Sequence, residues 1–253
     1  MKIIKTVEAL KLLRKSLPED HNIGFVPTMG NLHGGHESLL QRARSENKIC
    51  FLSIFVNPTQ FNHPQDFNEY PITLEQDLTI AQKHEMDYVF VPTPAMLYPD
   101  QYAFKIMEAS LSTILEGAHR PGHFEGMMTV VMKLFLLVRP DRAYFGEKDY
   151  QQLVLIQQLV RAFLMDITII PCKTVRSSTG LALSSRNGRF DPSGLEKAAL
   201  LSQALHSGQA LPLIRKNLVD QGFEIEYLEI WQNRLLAAVK LNNVRLIDNI
   251  ALD

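Results

Sequence analysis

The chain has 253 residues, 46% of them hydrophobic and 21% charged, which excludes an intrinsically disordered protein and suits one large or two modest globular domains. Lys and Arg number 26 against 27 Asp and Glu, so no overall positive field attracts nucleic acid, and a polyanionic ligand has to be met by locally placed cations. The opening Met1-Lys2-Ile3-Ile4-Lys5 lacks the apolar core of a signal peptide, and the apolar stretch 127–138 carries Lys133 and is too short to span a bilayer, so a cytoplasmic protein with no membrane partner is expected.

In chain order, Ile23 to Val26 is a short apolar run suited to a buried strand, and Glu37 to Asn47 places Leu39, Leu40 and Ala43 on one helical face. Further strand-like runs follow at Ile49 to Val56, Tyr88 to Val91, Ala143 to Phe145 and Ile167 to Cys172. Helical patterns separate most of them. Thr73-Leu74-Glu75-Gln76 reads as a capping box opening a helix through Lys83, and Met127, Val130, Val131, Leu134, Leu137 and Val138 form a broad helical stripe. This alternation implies an α/β domain with a parallel sheet. Cys50 and Cys172 lie in apolar runs and are read as reduced, buried side chains.

After Cys172 the texture changes. Arg176-Ser177-Ser178-Thr179-Gly180 reads as a loop, and Ser193-Gly194-Leu195-Glu196 as a second capping box. Two helices to about Val219 precede strand-like Ile225 to Trp231, Leu235 to Leu241 and Val244 to Ile247, with Asn242-Asn243 as a hairpin turn. A smaller C-terminal α+β domain is therefore expected over 175–253, behind a larger one over 1–174.

Four loop clusters carry groups able to do chemistry. Pro27-Thr28-Met29-Gly30-Asn31-Leu32-His33-Gly34-Gly35-His36 joins a strand to a helix: glycine lets the backbone approach an anion, the helix start offers N–H groups, and His33 and His36 add donors. Asn57-Pro58-Thr59-Gln60-Phe61-Asn62 sets amides and a hydroxyl beyond a strand's carboxyl end, where open parallel sheets bind ligands. Gly146-Glu147-Lys148-Asp149 precedes a helix with Gln151 and Gln152; a lysine there neutralises phosphate, an aspartate accepts from ribose, and a glutamine binds a hydroxy acid. Leu183-Ser184-Ser185-Arg186-Asn187 combines hydroxyls with a guanidinium fork, the makings of a phosphate clamp. Each cluster alone also fits a plain reading: a tight turn, a polar turn, a solvated charged loop, a Ser-rich linker. No G-x-S-x-G, H-E-x-x-H or C-x-x-C pattern supports an esterase, protease or zinc protein.

Taken together and in order, these segments resemble the pantothenate synthetases, the pantoate–β-alanine ligases of the His-x-Gly-His nucleotidylyltransferase superfamily. The resemblance rests on 27–36, on Ser53 to Phe61, on Arg120-Pro121-Gly122-His123-Phe124, on Phe145 to Leu153, on Leu181 to Asn187 and on the closing Arg245-Leu246-Ile247-Asp248-Asn249. It implies a Rossmann-like domain that binds ATP and pantoate, a C-terminal lid domain, and a homodimer. The implied reaction has two steps. Pantoate attacks the α-phosphorus of ATP to give pantoyl adenylate and pyrophosphate, and β-alanine then displaces AMP.

By the same resemblance His33 and His36 contact ATP and stabilise developing charge, the backbone of Met29, Gly30, Asn31, Leu32, Gly34 and Gly35 lies along the nucleotide, and Lys148, Ser184, Ser185 and Arg186 clamp its phosphates. Gly146 and Asp149 are implied on the nucleoside side, Val175 at adenine, Glu147 and Leu183 as further ATP contacts, and Gln60 and Gln152 on pantoate, Gln60 also meeting β-alanine. Magnesium is implied with ATP, and Asp77 stands where the family places an acidic metal contact. Arg120 and His123 carry no role that their chemistry assigns. The chain departs from the pattern in a shortened Gln232-Asn233-Arg234 connection and in Gly35, where a charged residue is common. Two alternatives stand beside this reading: another nucleotidylyltransferase, whose phosphorylated acceptor calls for more cations than Gln60 and Gln152 supply, and a nucleotide sensor, which has no need of Lys148 and Arg186.

Overall fold

The computed structural model describes residues 1–18, 21–62 and 67–252. Its contacts divide the chain into two units, one of Met1–Leu32, His36–Gly146 and Gln151–Cys172, the other of His33–Gly35, Glu147–Tyr150 and Lys173–Asp253.

The first unit is built on a six-stranded parallel sheet. Its strands are β1 (Lys2–Ile4), β2 (Ile23–Thr28), β3 (Ile49–Ile54), β4 (Tyr88–Phe90), β5 (Arg142–Gly146) and β6 (Thr168–Cys172), in the order β1-β4-β3-β2-β5-β6. Every residue of β3 is buried, as expected of a central strand covered on both faces. β2 pairs β3 over its whole length and meets β5 at Gly24↔Arg142 and Phe25↔Ala143. Crossovers leave β2 and β5 in opposite directions along the sheet, so their adjoining carboxyl ends form the topological switch point at which such sheets bind ligands. Among the described residues the helices of this unit are α1 (Val7–Ser16), α2 (Gly34–Glu46), α3 (Leu74–Lys83), α4 (Pro94–Leu97), α5 (Glu116–His119), α6 (His123–Val138) and α7 (Tyr150–Ala162), the first residues of α2 and α7 belonging to the second unit. Leu40 and Ala43 of α2 pack with Val26, Cys50, Leu52 and Ala81 in a fully enclosed core. Both cysteines are free and buried, and burial pushes the Cys50 thiol up to about 12.

The second unit packs α8 (Pro192–Leu205) and α9 (Leu211–Asp220) on an antiparallel sheet of β7 (Glu224–Trp231), β8 (Arg234–Leu241) and β9 (Val244–Ala251). Ala198, Leu201, Leu205, Ile214 and Leu218 meet Ala237, Val239 and Leu241 in its core. Asn242 and Asn243 both have positive φ, as a two-residue type I′ hairpin turn requires, and so do Gln232 and Asn233. The shortened connection between Trp231 and Arg234 is thus a second tight hairpin.

Several elements differ from the sequence reading. α2 begins at Gly34 rather than Glu37, so His36 lies inside its first turn. Thr73 stands at the N-cap of α3 without capping it, because its hydroxyl turns to Asp77. α8 is capped by Asp191, which accepts from Gly194 N at 2.7 Å, and not by Ser193; Pro192 supplies the fixed φ of the first helical residue. β1 and α1 were not anticipated. β9 runs to Ala251, four residues beyond the expected Ile247.

Candidate active site

The turn after β2 is held open by a side chain distant in sequence. Gly30 (φ +80°) and Asn31 (φ 51°) both take the left-handed region, which turns two successive N–H groups inward. Asp77 of α3 receives them: its Oδ2 accepts from Asn31 N at 3.0 Å and its Oδ1 from Leu32 N at 2.7 Å, with Thr73 Oγ1 3.3 Å from each oxygen. The carboxylate is 1% exposed. Gly30 is needed for space as well, since a Cβ there would lie 2.9 Å from Asp77 Oδ2. Thr28 Oγ1 adds a bond to the Ser53 carbonyl at 2.8 Å, tying the turn to β3. These bonds make Asp77 the anchor of the turn. Among the described residues no group of three or more His, Cys, Asp or Glu gathers as a metal centre.

Also in the first unit, Gln60 closes a short 3-10 turn (Pro58–Gln60) after β3 and is buried. Its Oε1 accepts from Asn57 Nδ2 at 2.9 Å. The motif residues without an assigned role converge on its main chain: Arg120 Nη2 and His123 Nδ1 reach the Gln60 carbonyl at 3.1 and 2.8 Å. The adjacent glutamines on α7 separate cleanly. Gln151 is buried and spent on Glu116 N, Leu111 O and Ile114 O. Gln152 is half-buried.

In the second unit, Gly35 N donates to His33 Nδ1 at 3.1 Å, which leaves the ring hydrogen on Nε2. Burial, reinforced by the positive charge of Lys148, holds the His33 pKa down to about 4. His33 is therefore a neutral Nε2–H donor at pH 7, not an imidazolium. The loop after β5 is fixed from β9: Asn249 Nδ2 donates to the carbonyls of Glu147 and Lys148, both at 2.9 Å. Arg234 adds a 3.6 Å ion pair with Glu147 and lies over the Tyr150 ring. Asn249 was legible in sequence only as part of a closing motif, and nothing there signalled this task.

Lys148, Ser184, Asn187 and Arg186 line one cavity with Arg245 and Asp248. Arg245 there is paired with Glu226 at 2.8 Å and Asp248 with Arg176 at 2.6 Å, so Lys148, Arg186 and the Ser184 hydroxyl are the groups at this small opening that suit a phosphate oxygen. The clamp loop is itself braced: Ser184 Oγ accepts from Arg186 N at 3.3 Å, Asn187 Nδ2 donates to the Ala182 carbonyl at 3.1 Å, and Leu183 N donates to the Val175 carbonyl at 2.9 Å. Arg176, read from sequence as plain loop, forms a two-point pair with buried Asp248 at 2.6 and 2.9 Å. Asp149 sits 3.6 Å from Lys148, and Gly146 opens onto free space. Met29, Gly30, Asn31, Leu32, His36, Gln60, Asp77, Gly146 and Gln152 thus belong to the first unit. His33, Gly34, Gly35, Glu147, Lys148, Asp149, Val175, Leu183, Ser184, Ser185 and Arg186 belong to the second.

Comparison with known proteins agrees in sequence and in structure. The family described as pantoate-beta-alanine ligase matches residues 2–251. A Coxiella burnetii protein named pantothenate synthetase is 49% identical over 249 residues, covering 98% of this chain and 96% of its own. A Legionella pneumophila protein of the same name is 47% identical, with both chains covered in full. The crystal structure of the Francisella tularensis pantoate-beta-alanine ligase superposes with a TM-score of 0.94 at 41% identity, covering 99% of this chain and 97% of that one. Thermus thermophilus pantothenate synthetase superposes at 0.90 with 39% identity, covering 99% of both chains. With motifs, sheet order and whole-chain similarity all in agreement, this chain belongs to the pantoate–β-alanine ligase family.

Proposed function

We propose that the protein condenses pantoate with β-alanine at the expense of ATP, through a pantoyl adenylate. A carboxylate oxygen of pantoate bonds to the α-phosphorus as pyrophosphate leaves; the unprotonated amine of β-alanine then bonds to the acyl carbon as AMP leaves. The observation that carries this reading is that Lys148, Ser184 and Arg186, drawn from two loops, line one small opening. Pantoate is already an anion at pH 7, so the first step needs positioning and charge stabilisation rather than an activating base. The residues match that demand, donors being plentiful around the turn and the clamp.

On this reading His33, His36 and the backbone from Met29 to Gly35 meet the nucleotide, and Lys148, Ser184, Ser185 and Arg186 hold its phosphates. Gly146 and Asp149 serve its nucleoside side and Val175 its base, with Glu147 and Leu183 as further ATP contacts. Gln60 and Gln152 bind pantoate, and Gln60 then meets β-alanine. The Francisella relative is described as complexed with beta-gamma ATP and β-alanine, which supports the same substrates here. Magnesium fits as an ion carried by the phosphates with much of its water shell, because Asp77 is committed to the turn. When bound it neutralises phosphate charge. A homodimer belongs to the same reading and rests on the family resemblance.

The test is pantoate-dependent exchange of labelled pyrophosphate into ATP, followed by β-alanine-dependent release of AMP. Absence of exchange with folded protein overturns the reading.

A further inference from the structure

The residues around Gln60 form a chain whose polarity can be read from its far end, all of it within the first unit. The Gly126 carbonyl can only accept, and it lies 3.1 Å from one terminal atom of Asn57, so that atom is the Nδ2 amide nitrogen. The opposite atom, Oδ1, accordingly accepts from Tyr98 Oη at 2.9 Å and Thr59 Oγ1 at 3.0 Å. Because Asn57 Nδ2 also reaches Gln60 at 2.9 Å, the Gln60 atom facing it is Oε1. The Gln60 amide therefore directs its Nε2, a donor, away from Asn57.

The main chain of Gln60 is held as firmly. His123 Nδ1 and Arg120 Nη2 both point at its carbonyl, and Arg120 Nη1 lies 3.1 Å from His123 Nε2. A guanidinium only donates, so Nε2 carries the lone pair and Nδ1 the hydrogen that bonds Gln60. Glu116 Oε1 steadies Arg120 at 3.3 Å. Two costly features accompany this arrangement. Leu115, directly before Glu116, takes φ 48° and ψ −119°, a conformation that a β-carbon resists. Gly126 lets α6 approach the 58–60 turn so closely that any Cβ would overlap the Thr59 carbonyl.

We propose that Arg120 and His123 are positioning residues that act through Gln60, and that the Gly126–Asn57 chain holds Gln60 Oε1 toward Asn57 and leaves Nε2 as its substrate-facing donor, so the substrate group that this atom recognises is an oxygen acceptor and not an amine. The proposal rests on the assignment of Gln60 to substrate binding. It gives the unassigned Arg120-Pro121-Gly122-His123 motif a task, and it implies that β-alanine meets Gln60 through its carboxylate while its amine stays elsewhere, able to attack.

The test measures KM for pantoate and for ATP, with kcat, in the pyrophosphate exchange assay. Gln60→Met should raise the pantoate KM at least tenfold. His123→Leu and Arg120→Met should each raise it at least fivefold while leaving the ATP KM within twofold. His123→Asn, whose amide nitrogen stands near the place of Nδ1, should return it to within twofold of the parent. Adding His123→Leu to Gln60→Met should cost nothing further, since both act through one side chain. Gln60→Glu keeps the Asn57 bond but turns an acceptor outward, and should bind pantoate less well than Gln60→Met. Additive losses in the double variant, or equal losses for pantoate and ATP, overturn the positioning role. Parent-like pantoate binding by Gln60→Glu overturns the donor assignment. A parent enzyme with no exchange overturns the functional reading itself, and a silent Gln60→Met overturns only the place of Gln60 within it. If Arg120→Met or His123→Leu fails to fold, His123→Asn and Gln60→Glu decide.

Discussion

Replacing Asp77 separates a turn anchor from a metal ligand. Its carboxylate accepts two main-chain N–H groups, at 3.0 and 2.7 Å, from a site 1% exposed to solvent. A hydrogen bond to a charged group contributes about 1.5–3 kcal/mol, so Asp77→Ala, which strands both donors, should cost about 3–6 kcal/mol. Asp77→Asn is the sharper probe. Its amide can accept from only one of the two N–H groups and must present its own hydrogens to the other, so one bond becomes a donor–donor conflict at a cost of about 2–3 kcal/mol. With a urea slope of about 2–3 kcal/mol per molar, the unfolding midpoint should fall by about 1 M. Exchange activity should fall with it, because the turn that presents His33 and His36 loosens. The dependence on magnesium concentration should keep its midpoint. Asp77→Asn with an unchanged urea midpoint and a weakened magnesium dependence would refute the reasoning and make Asp77 a metal ligand after all.

His36→Ala should lower pyrophosphate exchange by about a hundredfold or more if the imidazole stabilises charge in the transition state, with the protein remaining folded by circular dichroism. The His33 pKa of about 4 lies below the usual 6.5, so this residue adds stability that is present above pH 6.5 and is lost as pH falls toward 4. ATP phosphates beside it would raise that pKa, so binding should take up protons and tighten as pH falls through this window. Calorimetry at pH 6 in buffers of different ionisation enthalpy should show more proton uptake for the parent than for His33→Gln, and equal uptake refutes the contact. Gly126→Ala should destabilise the protein by about 1–3 kcal/mol through overlap with the Thr59 carbonyl, read as a lowered melting temperature. ATP with pantoate should protect the 176–190 segment from limited proteolysis, and unchanged cleavage argues against its binding role.

The parallel sheet was legible because its strands are apolar runs with turn residues at their ends, and β3, buried throughout, shows why. β1 escaped notice because only three residues pair there and Ile3 remains exposed on an edge strand. The start of α2 was placed late because Gly34 and Gly35 argue against helix by propensity, whereas the structure opens the helix there. At the candidate site, the histidine turn and the Ser184–Arg186 loop stand out by residue type, although each alone also fits a plain turn or linker. The tasks of Asp77, Arg120 and His123 do not, since their partners lie 45 to 63 positions away and no local pattern encodes such a pairing.

The second unit includes Glu147–Tyr150 although its main body starts at Lys173, and this limits how the protein can be cut. A gene fragment encoding only 173–253 would retain the three-stranded meander and its helices, but it would strip Asn249, 3% exposed, of both carbonyls its amide serves and Arg234 of Glu147 and Tyr150. Such a fragment should be less stable than its hydrophobic core suggests. For the same reason, exchanging this portion between relatives at a single junction after Cys172 would mismatch the 147–150 loop, and a functional chimaera needs that loop moved with the C-terminal segment.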